Sequence, residues 1–228
     1  MKTIGLLGGT GWSSTINYYV ALNQLVNKQL GGYHSAKIIL KSIDYHDIME
    51  NYGKDHELTA KLLQTELLDL IKLRPECIII CCNSLHKYLD IIENSLNSSI
   101  PIMHAIKLTA QHCVENRYRN VLLLASKFTL NDGFFEKILT KHKLNVITPS
   151  DDICDNLHAI HLELLQGNVT ENAKLYFQQL INNFPNIDAV ILGCTEYSMA
   201  VDKNAFDLPI IDPVDIQTKI AVDFALDK

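Results

Sequence analysis

A chain of 228 residues, 47% of them hydrophobic and 20% charged, with 6 Pro and 10 Gly, is too apolar to be disordered and long enough for one large domain or two of about 110 residues. A formal net charge of −6 without any Lys/Arg block excludes the electrostatic footprint of a nucleic-acid or anionic-membrane binder and leaves small molecules as the expected partners. The apolar run Ile4–Leu7 is too short for a signal-peptide core, no stretch reaches transmembrane length, and six cysteines in such a chain read as reduced thiols of a cytoplasmic protein.

In chain order, short β-rich apolar runs predict strands near 2–8, 36–44, 76–82, 100–103, 120–125, 144–148, 188–193 and 208–211. Between them, helical periodicity runs over 14–30, 56–73, 104–117, 131–142, 151–185 (as two helices) and 213–226, with Asn131-Asp132 and Asp151-Asp152 as expected caps. Alternation of this kind predicts βαβ units and parallel sheets.

The two halves echo one another. Thr3-Ile4-Gly5-Leu6-Leu7-Gly8-Gly9-Thr10 resembles Asn120-Val121-Leu122-Leu123-Leu124-Ala125-Ser126-Lys127, and Ile79-Ile80-Cys81-Cys82-Asn83-Ser84 resembles Ile191-Leu192-Gly193-Cys194-Thr195-Glu196, at nearly the same spacing. Two similar α/β lobes follow, one formed by 1–103 plus 210–228 and the other by 104–209, with crossings at Pro101 and Pro209. Each lobe carries one cysteine, Cys82 or Cys194, at the carboxyl end of a strand, where ligands collect in open parallel sheets.

A pair of thiols facing one small molecule suits a particular chemistry. Inverting a stereocentre by proton transfer needs one group to remove a proton from one face and another to deliver a proton to the opposite face. Cysteines ahead of helix N-termini have accessible thiolates at neutral pH, and both Cys82 and Cys194 are expected just ahead of helices. Asn83, Ser84, Thr195 and nearby backbone N–H groups are candidate donors to an amino acid's carboxylate and to a developing carbanion. Glu196 is a candidate partner for Cys194, and Gly9, Thr10, Ser126, Lys127 and Thr129 line the equivalent strand ends as further substrate-binding candidates.

Gly5-Leu6-Leu7-Gly8-Gly9, Cys82-Asn83-Ser84-Leu85-His86 and Gly193-Cys194-Thr195-Glu196 resemble, in order and spacing, the three motifs of the aspartate/glutamate racemase family. The resemblance covers essentially the whole chain. It implies two pseudo-symmetric parallel-sheet α/β domains with the active site in the cleft between them, a homodimer, and racemisation by two cysteines without pyridoxal phosphate or metal. Two departures touch the pocket rather than the thiols: the loop Gly9-Thr10-Gly11-Trp12-Ser13-Ser14-Thr15, and Asp212-Pro213-Val214-Asp215, which lacks the His often found there.

Other readings compete at individual positions. Cys77, Cys113 and Cys154 read as inert core residues, and Cys81 as the inward neighbour of Cys82. Cys81, Cys82 and His86 lack the second couple of ligands that structural zinc needs, so no metal is expected, and His86 is either an orienting or an ordinary satisfied histidine. Gly9-Thr10-Gly11-x-x-Ser14 falls one residue short of a dinucleotide fingerprint, the basis of a weaker nucleotide-dependent oxidoreductase reading; a non-catalytic amino-acid-binding module leaves the two thiols unexplained. Only Arg74, Arg117 and Arg119 are present, all at amino ends of strands, so a distal substrate carboxylate would fall to Lys127 or His46. Aspartate or glutamate therefore leads only slightly over a neutral amino acid.

Overall fold

A computed structural model describes residues 1–228, which divide into two compact units, Met1–Ala105 with Gln217–Lys228, and Ile106–Ile216.

In the first unit, β1 (Ile4–Gly8) lies between β2 (Ile38–Ser42) and β3 (Cys77–Ile80), and β3 also pairs with β4 (Ile102–Met103). All the pairings are parallel, giving the order β2-β1-β3-β4. The inner strands β1 and β3 are buried along their whole length, which is why they read as unbroken apolar runs, whereas the edge strand β2 admits Lys41 and Ser42. Helices α1 (Trp12–Leu30), α2 (His46–Asn51), α3 (His56–Lys72) and α4 (His86–Ile92) follow the strands. Asp55 caps α3 by accepting from Leu58 N–H at 2.9 Å, and Leu63, Leu67 and Leu70 bury one face of that helix completely. Each such leucine contributes about 1.5–3 kcal/mol of burial.

The second unit repeats this order. β5 (Asn120–Leu124), β6 (Asn145–Ile147), β7 (Ala189–Leu192) and β8 (Ile210–Ile211) form the parallel sheet β6-β5-β7-β8. Helix α5 (Ala105–Glu115) begins at the division, and α6 (Lys127–Asp132), α7 (Phe134–Lys141), α8 (Asp151–Leu165) and α9 (Glu171–Asn182) lie between the strands. Phe177 and Ile181 of α9 pack with Leu122, Val190 and Leu192 of the sheet and with Tyr197. Helix α10 (Pro213–Ala225) returns the chain to the first unit at Gln217. In each sheet the chain leaves its first and third strands toward opposite edges, so the loops after β1 and β3, and after β5 and β7, part at the carboxyl ends and leave room for a ligand.

Several expectations are corrected. The helix expected over 131–142 is two helices, because Gly133 adopts φ 67° and breaks it. Asn131 and Asp132 therefore close α6 instead of capping a helix, and the caps are Ser126 for α6 and Ser150, not Asp151-Asp152, for α8. The short helix α2 was not expected, and the helix expected after Cys82 is the short α4, whose bounds could not be read, since six and seven residues carry too little periodicity to register. The chain leaves the first unit after Ala105 and returns after Ile216, where the sequence suggested 103 and 209; β8 belongs with the second unit because Ile210 and Ile211 pair with Val190 and Ile191.

Candidate active site

In the first unit a side-chain hydrogen bond joins the carboxyl ends of β1 and β3. Gly9 sits at φ 83°, and a Cβ there would come within 2.2 Å of the Ile43 carbonyl, so the loop after β1 can pass the chain leaving β2 only with glycine at this point. Gly9 N–H donates to Thr15 Oγ1 at 3.0 Å, and Thr10 Oγ1 donates to the Cys81 carbonyl at 2.9 Å. Beyond that strand end, Cys82 Sγ lies 3.2 Å from Ser84 Oγ and 3.5 Å from Tyr45 Oη. Burial, and after it the neighbouring Cys82, hold the Tyr45 phenol well above its ordinary pKa, so it stays protonated and able to donate. Asn83 is buried beside them and Ser84 is half-buried.

The neighbouring thiols are unlike this one. Cys81 is fully buried and burial raises its pKa well above the ordinary thiol range; burial likewise pushes Cys77 and Cys113 up to about 12. Cys154 is also raised by burial, and none of the six cysteines forms a disulfide. Cys82 and Cys194 retain 9% and 7% exposure. His86 is fully buried, its Nε2 accepts from Ala105 N–H at 3.4 Å, and its ring lies 4.5 Å from that of His104, which approaches Asp90 at 3.5 Å. It thus anchors the start of α5.

In the second unit Gly193 brings the end of β7 against β5, since a Cβ at this position would lie 2.8 Å from that of Ala125. Cys194 then directs Sγ–H to Glu196 Oε2 at 3.0 Å, and Thr195 Oγ1 donates to the same oxygen at 3.1 Å. His161, on α8, brings Nε2 to 3.7 Å from that oxygen, beyond hydrogen-bond reach but close enough to act electrostatically. Burial of Glu196 would raise its pKa, but His161 and Cys194 outweigh burial and hold the carboxyl below its ordinary range. The ring of His161 stands edge-on to Tyr197 at 6.2 Å and lies 6.5 Å from that of His158, one helical turn earlier.

The remaining candidates lie on α6. Ser126 and Thr129 are buried with their hydroxyls 3.1 Å apart, while Lys127 is partly exposed and ion-paired with Asp155 of α8. His46 is exposed at the start of α2. Cys82 lies just ahead of a helix, the seven-residue α4, as the sequence suggested, whereas Cys194 precedes only the 3-10 turn Tyr197–Met199. Nearby side chains shape both thiol environments, Ser84 and Tyr45 at Cys82 and Glu196 at Cys194.

Sequence reasoning missed Tyr45 and His161. Tyr45 had a signal, because it follows β2 at the same edge as Gly9 and Cys82. His161 had a weaker one, a histidine spaced i, i+3 from His158 on an otherwise apolar helix face.

Residues 7–221 match the Asp/Glu/hydantoin racemase family. The chain belongs to that family. It is therefore an enzyme of the isomerase class, and its two parallel α/β sheets are the fold of Asp/Glu racemase structures. A candidate Asp/Glu racemase from Yersinia pestis is 35% identical with a TM-score of 0.86, covering 99% of this chain and all of that one. An aspartate racemase homologue from Pyrococcus horikoshii is 28% identical, also at 0.86, with 99% and 100% covered. The broad specificity amino-acid racemase RacX of Bacillus subtilis is 22% identical over 92% of each chain. No helix here is long and apolar enough to cross a membrane.

Proposed function

We propose that this racemase inverts the Cα of an amino acid by two-base chemistry, with Cys82 and Cys194 as its acid/base residues and neither pyridoxal phosphate nor metal taking part. The observation that carries the reading is the equivalence of the two thiols: each follows the third strand of its sheet, each keeps slight exposure, and each has a polar partner within 3.2 Å. One sulfur, as thiolate, takes the Cα proton, and the electron pair left on Cα is delocalised into the substrate carboxylate. The other, as thiol, returns a proton to the opposite face, and the roles reverse in the next direction. Gly9, Thr10, Asn83, Ser84, Ser126, Thr129 and Thr195 are proposed to bind the amino acid's own carboxylate and ammonium, and Glu196 to hold Cys194.

Aspartate or glutamate is the leading substrate. The competing reading, broad specificity for neutral amino acids, is favoured by one observation: Lys127, a candidate cation for a distal carboxylate, is already ion-paired with Asp155. A homodimer in the cytoplasm completes the proposal, with the exposed Trp12, Ile16, Tyr19 and Val20 of α1 as its contact stripe; sedimentation of wild type and Trp12→Glu tests it.

The deciding experiment is turnover of enantiopure amino acids in deuterated water, followed by chiral chromatography and mass spectrometry. The inverted product is expected to carry solvent deuterium at Cα. Inversion with full retention of the original proton would reject exchangeable thiols as the proton donors. Turnover of methionine or homoserine well above aspartate would assign the neutral specificity, and turnover of aspartate lost in Lys127→Ala would assign the acidic one.

A further inference from the structure

Within the second unit, Cys194 Sγ, Glu196 Oε2 and His161 Nε2, one sulfur, one oxygen and one nitrogen, all lie within 4.8 Å of one another. We propose that this triad is an inhibitory binding site for a borderline-soft divalent cation of the zinc class, which captures the Cys194 sulfur. The inhibition, though not the binding, rests on the catalytic role proposed above for Cys194.

Three features support it. The donor set is the kind that catalytic-type zinc sites use, three protein ligands drawn from His, Cys and carboxylate with a fourth position left for water. The spacing is close to what an ion demands. With metal–sulfur near 2.3 Å and metal–nitrogen or metal–oxygen near 2.1 Å, tetrahedral geometry separates sulfur from oxygen by about 3.6 Å and nitrogen from oxygen by about 3.4 Å. The observed sulfur–oxygen and nitrogen–oxygen separations are 3.0 Å and 3.7 Å, and sulfur and nitrogen lie within 4.8 Å of each other, so side-chain rotations that move these ends by up to about 1 Å would seat the ion. The charge is also right: Glu196 is held ionised, and no lysine or arginine forms an ion pair with it.

Binding is a substitution without redox change. The Cys194 S–H bond breaks, a sulfur–metal bond forms, the proton leaves to the buffer, and His161 coordinates through Nε2 with its ring proton on Nδ1. That Nδ1 is buried with no hydrogen-bond partner, so the ligand lacks the acceptor that normally steadies a metal-bound histidine. The site should accordingly bind about 10–100-fold more weakly than one with that partner supplied. Such an affinity suits reversible inhibition rather than a structural ion.

The probe is Co2+, whose bond to thiolate produces a near-ultraviolet charge-transfer band, titrated into the metal-free protein and competed with Zn2+. One equivalent is expected to give the band with proton release. Cys82→Ala, which retains Cys194, should keep the band; Cys194→Ala should lose it; His161→Ala should weaken Co2+ binding at least about tenfold. Circular dichroism checks that each variant is folded. Absence of the band in wild type, its persistence in Cys194→Ala, or unchanged affinity in His161→Ala would overturn the site. In parallel, Zn2+ should suppress racemisation reversibly, with recovery on adding chelator. A bound metal with undiminished turnover would leave the site standing and instead refute Cys194 as an acid/base residue.

Discussion

Cys82 and Cys194 leave equivalent strands, β3 and β7, yet meet neighbours of opposite character. Cys82 lies among hydroxyls, Ser84 Oγ at 3.2 Å and a Tyr45 phenol kept protonated by burial, groups able to donate to a thiolate. Cys194 instead donates a hydrogen bond to the ionised Glu196, a contact that exists only while the sulfur is a thiol. A shared topology thus supplies two positions, and local side chains give the two sulfurs different resting roles: one suited to accept a proton, the other holding one.

Removing either sulfur should have the largest effect. Cys82→Ser and Cys194→Ser are each expected to lower kcat by about 10²–10⁴-fold, the usual worth of a general acid or base, in a chiral assay. Near-normal rates in either variant would end the two-thiol comparison. Glu196→Gln tests the acid-holding side. Hydrogen bonds to a charged group are worth about 1.5–3 kcal/mol, so a loss of roughly 10–150-fold is expected in the direction that begins with Cys194 as acid, read as kcat in each direction separately.

Glu196 also makes a stability prediction whose sign is set by its depressed pKa. Its stabilising contribution is complete above the ordinary carboxyl value of 4.5 and is lost as pH falls through the lower folded value. Wild type should therefore exceed Glu196→Gln in urea-unfolding stability near neutral pH, with the gap closing as the solution is acidified. A gap that widened in acid would contradict an ionised Glu196.

Tyr45→Phe removes a neutral donor from Cys82 and should cost less, about 2–12-fold in turnover, from a hydrogen bond worth about 0.5–1.5 kcal/mol. The alkaline limb of the pH profile should not move, since the phenol does not ionise in that range. Smallest of all, Cys81→Ser and Cys77→Ser should leave turnover unchanged while losing about 1–3 kcal/mol of stability, because a hydroxyl replaces a thiol in a closed core.

Much of this protein was legible one residue at a time. The inner strands β1, β3, β5 and β7 were the easiest to locate because inner strands of a parallel sheet are buried on both faces and write continuous apolar runs, as in Ile78-Ile79-Ile80 and Val190-Ile191-Leu192. Cys82 and Cys194 stood out because each lies one residue beyond such a run and is followed by polar residues. The break at Gly133 and the short helices α2 and α4 were less legible, since fewer than two turns of helix leave too few repeats to distinguish from a loop.

The sequence by itself determined the strand–helix alternation, the repeated halves and the two cysteines, because hydrophobic periodicity and motif spacing are local properties of a chain. Only the tertiary structure decided which groups surround each sulfur. Tyr45 reaches Cys82 from 37 positions away and His161 reaches Glu196 although α9 and β7 lie between them in the chain, so neither approach is visible in spacing. It also decided that Lys127 is spent on Asp155 and that Glu196 stays ionised while buried, since burial and partner charge are summed in three dimensions over residues far apart in the chain.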